Sequence, residues 1–394
     1  MWREILQNAG GAAAEVCMQE NRAVIRLGSI RANAQYFLSR AQGAKLCAVV
    51  KADAYGHGAV AVAQALSGVA DMFAVALVEE GAQLRHAGVR EDILVLCPPL
   101  GEDDVVRGAR HRLIFTVSDA EDYRLLGRVC EQYGICVSCH IKVNTGMNRF
   151  GFDADAFDKF LAGRLSGRVR AEGIYSHFYR PEDAETAEKQ FARFQRFCAP
   201  AERAFGSLLR HIAATGGVLA SPVYCLDMVR VGIGLYGYLP EGFFLPAGTL
   251  RPALSVSAQV ACAREYRGGG AGYGEYIPQG KDLCVVRAGY ADGFFRANAG
   301  KNSLCMDACV EESKRNKYDE VCIFSDADAY ARRHGTISYE ALVNVGRRAG
   351  REYVSGEDEK RRRGGADSGY GGKAPPAVKD EGAARRGARP CGAG

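Results

Sequence analysis

Short apolar runs recur through the first 240 residues, and alanine- or charge-rich stretches separate them. The runs are typical of buried strands, and the stretches between them have the spacing of helices. Eight strands that alternate with helices predict an α/β protein with a parallel (β/α)8 barrel of the TIM type. A doubly wound open sheet is the alternative that this pattern leaves. The predicted strands are residues 46–52, 72–77, 93–97, 113–117, 135–143, 173–178, 211–215 and 228–234, and the clearest helical stretches are 60–66, 79–86, 120–132 and 187–209.

The pattern changes after Pro240, where turns rich in glycine and proline replace most of the helices. The runs that keep the spacing of strands are 254–263, 283–288 and 321–324. We therefore predict a C-terminal, mostly-β domain over residues 240–354, and a strand at 22–27 can join it. Thr336 is expected to cap one final helix, with Glu340 nearby.

These patterns divide the chain into four parts. Residues 1–21 are an N-terminal extension, 22–239 the barrel, 240–354 the β domain and 355–394 a tail. The tail is rich in glycine, alanine and arginine, and it has almost no large apolar residue. Such a segment cannot bury a core, so we expect it to be disordered.

Composition and charge narrow the classes of function. The formal net charge is +5, and the tail supplies +3 of it through nine basic and six acidic residues. The remaining +2 does not indicate a nucleic-acid-binding surface. No apolar run is long enough for a membrane span, and the first 21 residues lack the apolar core of a signal peptide. Several of the 14 cysteines lie within apolar runs, which indicates reduced thiols and a cytoplasmic location.

Lys51 is the most informative single residue, because it directly follows the apolar run 46–50. An unpaired ammonium is poorly solvated in a dry pocket. Burial also lowers the pKa of a lysine and makes its amine a nucleophile toward aldehydes. A lysine at the end of a barrel strand therefore indicates Schiff-base chemistry. A strand-end lysine that reaches solvent is the ordinary alternative.

Other reactive side chains follow other predicted strands. Arg149, after the strand that ends at residue 143, can bind a carboxylate or a phenolate oxygen. His177 closes a further strand, and Arg230 precedes the glycines of 232–237, whose backbone N–H groups can approach a phosphate closely. Tyr273 lies between two glycines in the predicted β domain. Each residue alone has an ordinary structural explanation, but a barrel gathers all its strand ends on one face.

Two motifs point to other cofactors, and we reject both. Residues 136–140 match the attachment pattern of c-type haem, but they continue an alternating strand and no export signal precedes them. Residues 232–237 match the dinucleotide fingerprint, but no helical pattern follows. No metal site is predicted either.

Taken together, eight motifs resemble those of alanine racemases, a family that combines a barrel with a β domain and uses pyridoxal 5′-phosphate. The matches span about residues 22–354 in the family's order and spacing. Related barrel enzymes that lack the β domain would not carry the late motifs. The motifs are AVVKADAYGHG (48–58), NTGMNRFGF (144–152), YSHF (175–178), VRVGIGLYG (229–237), GYGEY (272–276), AGYADG (288–293), CMDA (305–308) and GTISYE (335–340).

The resemblance implies a role for each matching residue. Lys51 would hold the cofactor as a Schiff base and serve as one proton-transfer base. Tyr273 would be the other base, reaching the site from the second subunit of a homodimer. Arg149 would contact the cofactor phenolate and the substrate carboxylate, and Lys142 matches a lysine that is carbamylated in some members. The remaining matches are Arg230 at the pyridine nitrogen, His177 against the ring, Tyr55, Thr215, Gly232, Ile233 and Tyr339 at the phosphate, Met306 at the substrate carboxylate, and Tyr290 and Arg296 at the entrance.

The implied function is the interconversion of L- and D-alanine, which supplies D-alanine for the cell wall. Residues 214–217 are Ala-Thr-Gly-Gly where the family usually has Asn-Ser-Ala-Ala, and Glu275 stands where a small residue is commoner. These differences keep serine or broad-specificity racemisation open as the alternative. A non-catalytic cofactor-binding protein is the alternative from another class, and the second base at Tyr273 argues against it. A fold-related decarboxylase would show different motifs in the β domain.

Overall fold

The computed structural model of the protein describes residues 21–273, 280, 282–296 and 303–355. The predicted N-terminal extension up to residue 20, the predicted tail from residue 356 and the predicted specificity position Glu275 lie outside the described residues.

Strands and helices alternate through the first half of the described chain, and strands dominate after it. The strands are β1 (Asn21–Arg26), β2 (Lys45–Val49), β3 (Met72–Val75), β4 (Asp92–Val95), β5 (Ile114–Val117), β6 (Val137–Lys142), β7 (Val169–Tyr175), β8 (Leu209–His211), β9 (Met228–Val231), β10 (Leu254–Glu265), β11 (Asp282–Val286), β12 (Ser303–Leu304), β13 (Cys309–Glu312), β14 (Glu320–Phe324) and β15 (Gly350–Val354). The helices are α1 (Leu27–Arg40), α2 (Lys51–Tyr55), α3 (Ala59–Leu66), α4 (Val78–His86), α5 (Glu102–Arg110), α6 (Ala120–Tyr133), α7 (Ala154–Leu161), α8 (Ala184–Phe205), α9 (Thr215–Ala220), α10 (Ala327–His334) and α11 (Ser338–Asn344). Short 3-10 turns lie at Pro222–Tyr224, Ile233–Tyr236 and Tyr290–Asp292.

Within residues 21–273, eight parallel strands form one sheet in the order β8-β7-β6-β5-β4-β3-β2-β9. The two edge strands of this sheet are β8 and β9. A parallel bridge between Ala214, which follows β8, and Arg230 of β9 narrows the gap between them. All residues of β3, β5 and β9 are buried, which is typical of parallel strands covered by helices. Each predicted apolar run overlaps one of these strands. The predicted barrel is therefore confirmed, and the open-sheet alternative is wrong.

The ends of several strands differ from the prediction. The predicted strand 46–52 ends at Val49, because the chain turns at Lys51. The predicted strand 211–215 lies earlier, at 209–211, and Thr215 begins α9. The predicted strand 173–178 ends at Tyr175, so His177 follows β7 instead of closing it. These polar residues thus lie on the segments after the strands, at the carboxyl end of the barrel.

The second sheet is built around β10. Strand β1 pairs antiparallel with β10, and β15 pairs parallel with β1. Strand β14 pairs with residues 256–259 of β10, and β11 pairs with residues 260–265 of the same strand. Strand β13 then pairs with β11, and β12 pairs with β13. Alternate residues of β10 are buried from Leu254 to Val260, which is the period of a half-buried strand. The first described strand thus pairs with β10 and β15, which both follow the barrel in the sequence.

The sequence pattern missed three strands and one helix of this region. Strands β12, β13 and β15 are short, and β13 has only partly buried residues, so no apolar run marks it. Helix α10 precedes the predicted final helix, which is α11. The predicted cap at Thr336 is wrong by one residue, because Ile337 occupies the N-cap position. Thr336 instead donates its hydroxyl to the carboxylate of Glu340.

Every cysteine in the described ranges is a free thiol. Cys47, Cys139 and Cys284 are fully buried in strands, where they pack as small apolar side chains. Over the same ranges, no helix combines the length and the apolar character that a membrane crossing requires.

Candidate active site

The candidate site is a cavity at the carboxyl ends of the barrel strands, the end at which such barrels place their active sites. Its volume is about 610 Å³, which is typical of a small-molecule site. Ten of the residues singled out from the sequence line it: Lys51, Tyr55, Lys142, Arg149, His177, Thr215, Arg230, Gly232, Ile233 and Tyr339.

The cavity is strongly basic. Its described lining contains Lys51, Lys142, Arg149 and Arg230, and no aspartate or glutamate. Burial lowers the pKa of Lys51, and the nearby Arg149 lowers it further. Burial also lowers the pKa of Lys142 to about 7, with further contributions from Arg230 and Arg149. The cavity therefore favours anions, and both lysines give up a proton more readily than an exposed lysine does.

Arg230 is held rigidly by groups from the neighbouring strands. Its Nη2 donates to the carbonyl oxygens of Ser176 at 2.6 Å and Ile212 at 3.2 Å, and its Nη1 donates to Nδ1 of His211 at 2.8 Å. Because arginine only donates, His211 Nδ1 carries no proton, and His211 Nε2 donates to Nδ1 of His140 at 2.9 Å. Burial and Arg230 lower the pKa of His211 well below its ordinary value and that of His140 to about 3. Both imidazoles are therefore neutral near pH 7.

Lys142 and His177 come from β6 and from the segment after β7. Lys142 Nζ lies 4.6 Å from the centre of the Tyr175 ring, close enough for a cation–π contact when it is protonated. His177 Nδ1 is 3.4 Å from Nη2 of Arg230. Burial and Arg230 lower the pKa of His177 well below its ordinary value, so this imidazole is also neutral near pH 7.

The turn that carries Lys51 has an unusual backbone. Residues 52–55 all have φ values of 52–54°, in the left-handed region. This conformation costs roughly 1–2 kcal/mol for each residue other than glycine. A hydrogen bond of 2.9 Å from Ala54 N to Val50 O closes the turn. Four such residues in succession persist only where the surrounding structure holds them.

Side chains from both sides fix this turn. The Glu80 carboxylate of α4 accepts a hydrogen bond from Ala52 N at 2.6 Å. The carboxylate of Asp53 accepts a bond from Ala59 N at 2.7 Å and pairs with Arg351 of β15 at 2.6 Å. Helix, barrel and second sheet therefore all contact the turn after Lys51.

An anion cradle lies where β9 ends. The 3-10 turn Ile233–Tyr236 presents its first backbone N–H groups there, and Thr215 Oγ1 accepts one from this turn at 3.3 Å. A Cβ on Gly232 would lie 2.7 Å from Oη of Tyr55, so glycine makes room for that phenol. Tyr339 lies beside Tyr55, with 6.1 Å between the ring centres. Burial raises the pKa of Tyr339 to about 12, so its hydroxyl stays a hydrogen-bond donor.

These features fit pyridoxal phosphate, the cofactor that the sequence resemblance implies. The cradle offers hydroxyl and backbone N–H donors to a phosphate dianion. Lys51 offers an amine whose pKa is lowered, which favours reaction with an aldehyde. Arg230 offers a fixed donor that stays protonated at any physiological pH.

Four other predicted site residues do not line this cavity: Tyr273, Tyr290, Arg296 and Met306. Tyr273 is 88% exposed, Met306 56% and Tyr290 39%. The residue predicted as the second base therefore lies in solvent within a single chain, outside the cavity that holds the first base.

Three of these residues lie on loops of the second sheet, here named the exposed loops (residues 272–273, 289–292 and 305–307). Ala291 N donates to the carbonyl oxygen of Met306 at 2.9 Å. Arg348 joins two of the loops, because it donates twice to the buried carboxylate of Asp292, at 2.9 and 3.0 Å, and once to Asp307 at 2.9 Å. The last two loops are thus fixed by hydrogen bonds, while the side chains of Tyr290 and Met306 are exposed.

Sequence reasoning did not assign several residues that support the site. His57 and Tyr236 lie within two of the quoted motifs, and their rings stack 4.5 Å apart. The placement of His57 between two glycines was an available signal. His140 and His211 had no local signal, because they are far apart in sequence and their strands β6 and β8 come together only on either side of β7.

Comparisons with known proteins find the same family that the sequence motifs resemble. The model of the alanine racemase N-terminal domain matches residues 25–240, and that of the alanine racemase C-terminal domain matches residues 253–353. The alanine racemase of Desulfovibrio desulfuricans is 34% identical and aligns with 84% of this chain and 97% of its own length. That of Treponema pallidum is 33% identical and aligns with 85% of this chain and 99% of its own length.

Solved structures show the same likeness. The alanine racemase of a D-cycloserine-producing Streptomyces lavendulae has a TM-score of 0.79 at 28% identity, covering 86% of this chain and 98% of its own. The alanine racemase of Bartonella henselae, described with covalently bound pyridoxal phosphate, has a TM-score of 0.75 at 26% identity, covering 85% of this chain and 99% of its own. The likeness therefore extends over most of both chains.

Proposed function

Since the chain belongs to the alanine racemase family, we propose that it interconverts L- and D-alanine with pyridoxal 5′-phosphate, using Lys51 and Tyr273 as its two proton-transfer groups. One observation carries the two-base part of this proposal. Lys51 lines a basic cavity that fits the cofactor, while Tyr273 is 88% exposed on the same chain. The relatives described above are named alanine racemases, so we propose alanine and not serine as the substrate.

Bound pyridoxal phosphate supplies an electron sink that stabilises negative charge at the substrate α-carbon. The residues that would hold it are Lys51 at the aldehyde carbon, Arg230 at the ring nitrogen, and the cradle around Thr215 and Gly232 at the phosphate. Arg230 can only donate a hydrogen bond, so it disfavours a proton on the ring nitrogen. This limits the electron sink and restrains side reactions such as transamination.

The chain's own residues then orient the substrate and move its proton. Arg149 lines the cavity and offers a planar pair of donors to the substrate carboxylate. Burial and Arg149 lower the pKa of Lys51, so its Nζ gives up a proton more readily than an exposed lysine does, which suits a proton-transfer base. A planar α-carbon needs a second proton-transfer group on its opposite face for inversion, and we assign that role to Tyr273.

The exposure of Tyr273 supports a homodimer in which each subunit completes the site of the other. A base that stands in bulk water cannot act on a substrate inside a cavity of its own chain that it does not line. Self-complementary two-fold dimers are the commonest oligomers, and they bring one exposed surface to two equivalent sites. The exposed loops offer such a surface, because the side chains of Tyr273, Tyr290 and Met306 are exposed there, and the resemblance assigns the last two to the entrance and to the substrate carboxylate.

The test of this function is complementation between two inactive variants. Lys51→Ala and Tyr273→Phe are unfolded together, refolded together and assayed for loss of optical rotation of L-alanine. Mixed dimers would hold one site with both bases intact, so a random mixture should recover about a quarter of wild-type activity. The control is wild type refolded with the double variant Lys51→Ala/Tyr273→Phe, whose mixed dimers hold no intact site. No recovery in the first mixture would contradict a shared site.

Two coarser expectations remain part of this proposal. We propose that residues 22–239 and 240–354 are the functional halves, because the cavity lining comes chiefly from the first and the exposed loops from the second. The free thiols of the described chain favour a reducing compartment, and we propose the cytoplasm. There the enzyme would supply D-alanine for the cell wall.

A further inference from the structure

We propose that His57 is a positioning residue, which holds the left-handed turn 52–55 and thereby directs Lys51 and Tyr55 into the cavity. The inference rests on the proposed function, because it takes Lys51 as a base and Tyr55 as a phosphate contact. His57 itself does not line the cavity. Its effect on the reaction therefore passes through the backbone of the turn.

His57 contacts the turn through one ring nitrogen. The residue is fully buried, and its Nδ1 lies 3.0 Å from the carbonyl oxygen of Ala54 and 2.9 Å from that of Tyr55. Carbonyl oxygens only accept, so Nδ1 carries the proton and donates to both. Nε2 has no hydrogen-bond partner among the described residues, so the contacts of this ring serve the turn. Burial lowers the pKa of His57 to about 4, which keeps this single donor form at neutral pH.

The ring of His57 is also the outer layer of an aromatic stack. Its centre lies 4.5 Å from that of Tyr236, and Tyr236 lies 4.8 Å from Tyr55. The hydroxyl of Tyr236 donates to the carbonyl oxygen of Val49 at 2.9 Å, two residues before Lys51. Tyr236 ends the 3-10 turn that forms the phosphate cradle. Tyr236 therefore connects the phosphate cradle to Val49, before Lys51, and to Tyr55, after it.

The backbone around His57 leaves little freedom for another solution. Gly56 and Gly58 have φ values of 82° and 91°. A Cβ on Gly56 would lie 2.5 Å from the carbonyl oxygen of Leu342, and one on Gly58 would meet the hydroxyl of Tyr353. Neither neighbouring position can therefore carry a side chain, and position 57 is the one of these three whose side chain can contact the turn. Without its donor, the carbonyls of Ala54 and Tyr55 lose this buried side-chain partner, and the left-handed conformation loses one of its supports.

The test compares three substitutions. His57→Phe keeps an aromatic ring on Tyr236 and removes the donor. His57→Asn keeps an N–H near the position of Nδ1 and removes the ring. His111→Phe is the matched control, because it makes the same change at a partly exposed histidine of the barrel outside the cavity. For each holoenzyme we would measure the dissociation constant of pyridoxal phosphate and, at saturating cofactor, α-proton exchange of each alanine enantiomer.

We expect His57→Phe to weaken cofactor binding by about tenfold, since one buried donor to two carbonyls is lost. Exchange should fall more for the enantiomer that Lys51 serves, which is the one that Tyr273→Phe leaves less affected. His57→Asn should restore most of both quantities, and His111→Phe should change neither. A purely structural role would lower exchange of both enantiomers equally. That result, or wild-type values in His57→Phe, would overturn the proposal.

If His57→Phe does not fold, Tyr236→Phe tests the same stack, because it removes only the hydroxyl that binds Val49 O. The expected effect is smaller but has the same asymmetry between enantiomers, and an equal loss in both would overturn the proposal. Failure of the proposed function is seen separately in the wild type, where borohydride reduction would leave no cofactor label on Lys51. Failure of the present inference leaves that label in place.

Discussion

The barrel cavity and the exposed loops carry the two halves of one predicted site in opposite environments. Ten predicted residues line the cavity, where Arg230 is 3% exposed and fixed by four hydrogen-bond contacts. Tyr273, on the exposed loops, is 88% exposed. A single chain therefore encloses the residues that we propose to bind and orient a charged cofactor, and leaves the proposed second proton-transfer group in solvent.

This contrast shows that burial changes the pKa values of the cavity groups within one chain. The pKa values of the cavity groups are shifted within one chain, because burial and the neighbouring arginines act there. The exposed tyrosine has no comparable surroundings until another surface covers it. Removal of Lys51, which would hold the cofactor as well as act as a base, should thus affect exchange of both enantiomers, whereas removal of an exposed-loop group should affect mainly one.

The largest expected effect is that of Lys51→Ala. The variant should lose covalent cofactor, and exchange of both enantiomers should fall by more than about 10³-fold, since nucleophile and base are lost together. Borohydride reduction and peptide mapping measure the attachment, with Lys45→Ala, an exposed lysine of β2, as the control. A reduced label on any other lysine would contradict the assignment of the cavity as the reactive half.

A smaller and one-sided effect is expected for Tyr273→Phe. Cofactor attachment to Lys51 should persist, while α-proton exchange of one enantiomer falls by about 10²–10⁴-fold and that of the other falls much less. Isotope exchange in heavy water, followed separately for L- and D-alanine, measures this. Tyr290→Phe makes the same change on a neighbouring exposed loop and should affect both enantiomers little. Equal losses in Tyr273→Phe would remove the distinction between the two regions.

The smallest effect concerns the charge of the cavity and its dependence on pH. The pKa of Lys142 is about 7 in the folded protein, against an ordinary value of 10.5. Between these values the unfolded chain binds one more proton, so Lys142 makes the free energy of unfolding rise as pH rises from about 7 to about 10. The slope should reach at most about 1.4 kcal/mol per pH unit, and Lys142→Met should remove it.

Denaturant unfolding of the cofactor-free protein measures this slope, in buffer without carbon dioxide so that the amine stays unmodified. Lys45→Met is the matched control, because its lysine is exposed and lies outside the cavity. The same slope in both variants would show that the cavity does not perturb Lys142. The contrast with the exposed loops would then rest on Lys51 and Tyr273 alone.

The barrel was largely predictable from sequence, because its strands are buried on both faces and form uninterrupted apolar runs. Prediction was poorer where burial is partial or charge is dense. Strand β13 has no fully buried residue, and α5 has five charged residues among nine, so neither matched an apolar pattern. Strand ends were also poorly predicted at Lys51 and Thr215, where the chain leaves the sheet to shape the site.

The candidate site was predicted chiefly from its motifs, and its supporting geometry was not. Alanine and aspartate have no strong preference for a run of left-handed residues, so nothing local in residues 52–55 predicts that turn. Contacts from distant parts of the chain impose it, among them Glu80, Tyr236 and Arg351. The exposure of Tyr273 was expected only through the family resemblance, which implied a base that reaches the site of the other subunit, because the local sequence does not show which chain the residue faces.

Four basic groups line one cavity, and no described carboxylate lines it with them. This affects the stability of the chain before the cofactor binds. Four basic groups close together lower the stability of the folded chain, and a bound anion would offset that cost. Loading and folding are thus thermodynamically linked. A chain synthesised during vitamin B6 shortage would open more often and meet proteases sooner, so nutrient supply would set its lifetime as well as its activity.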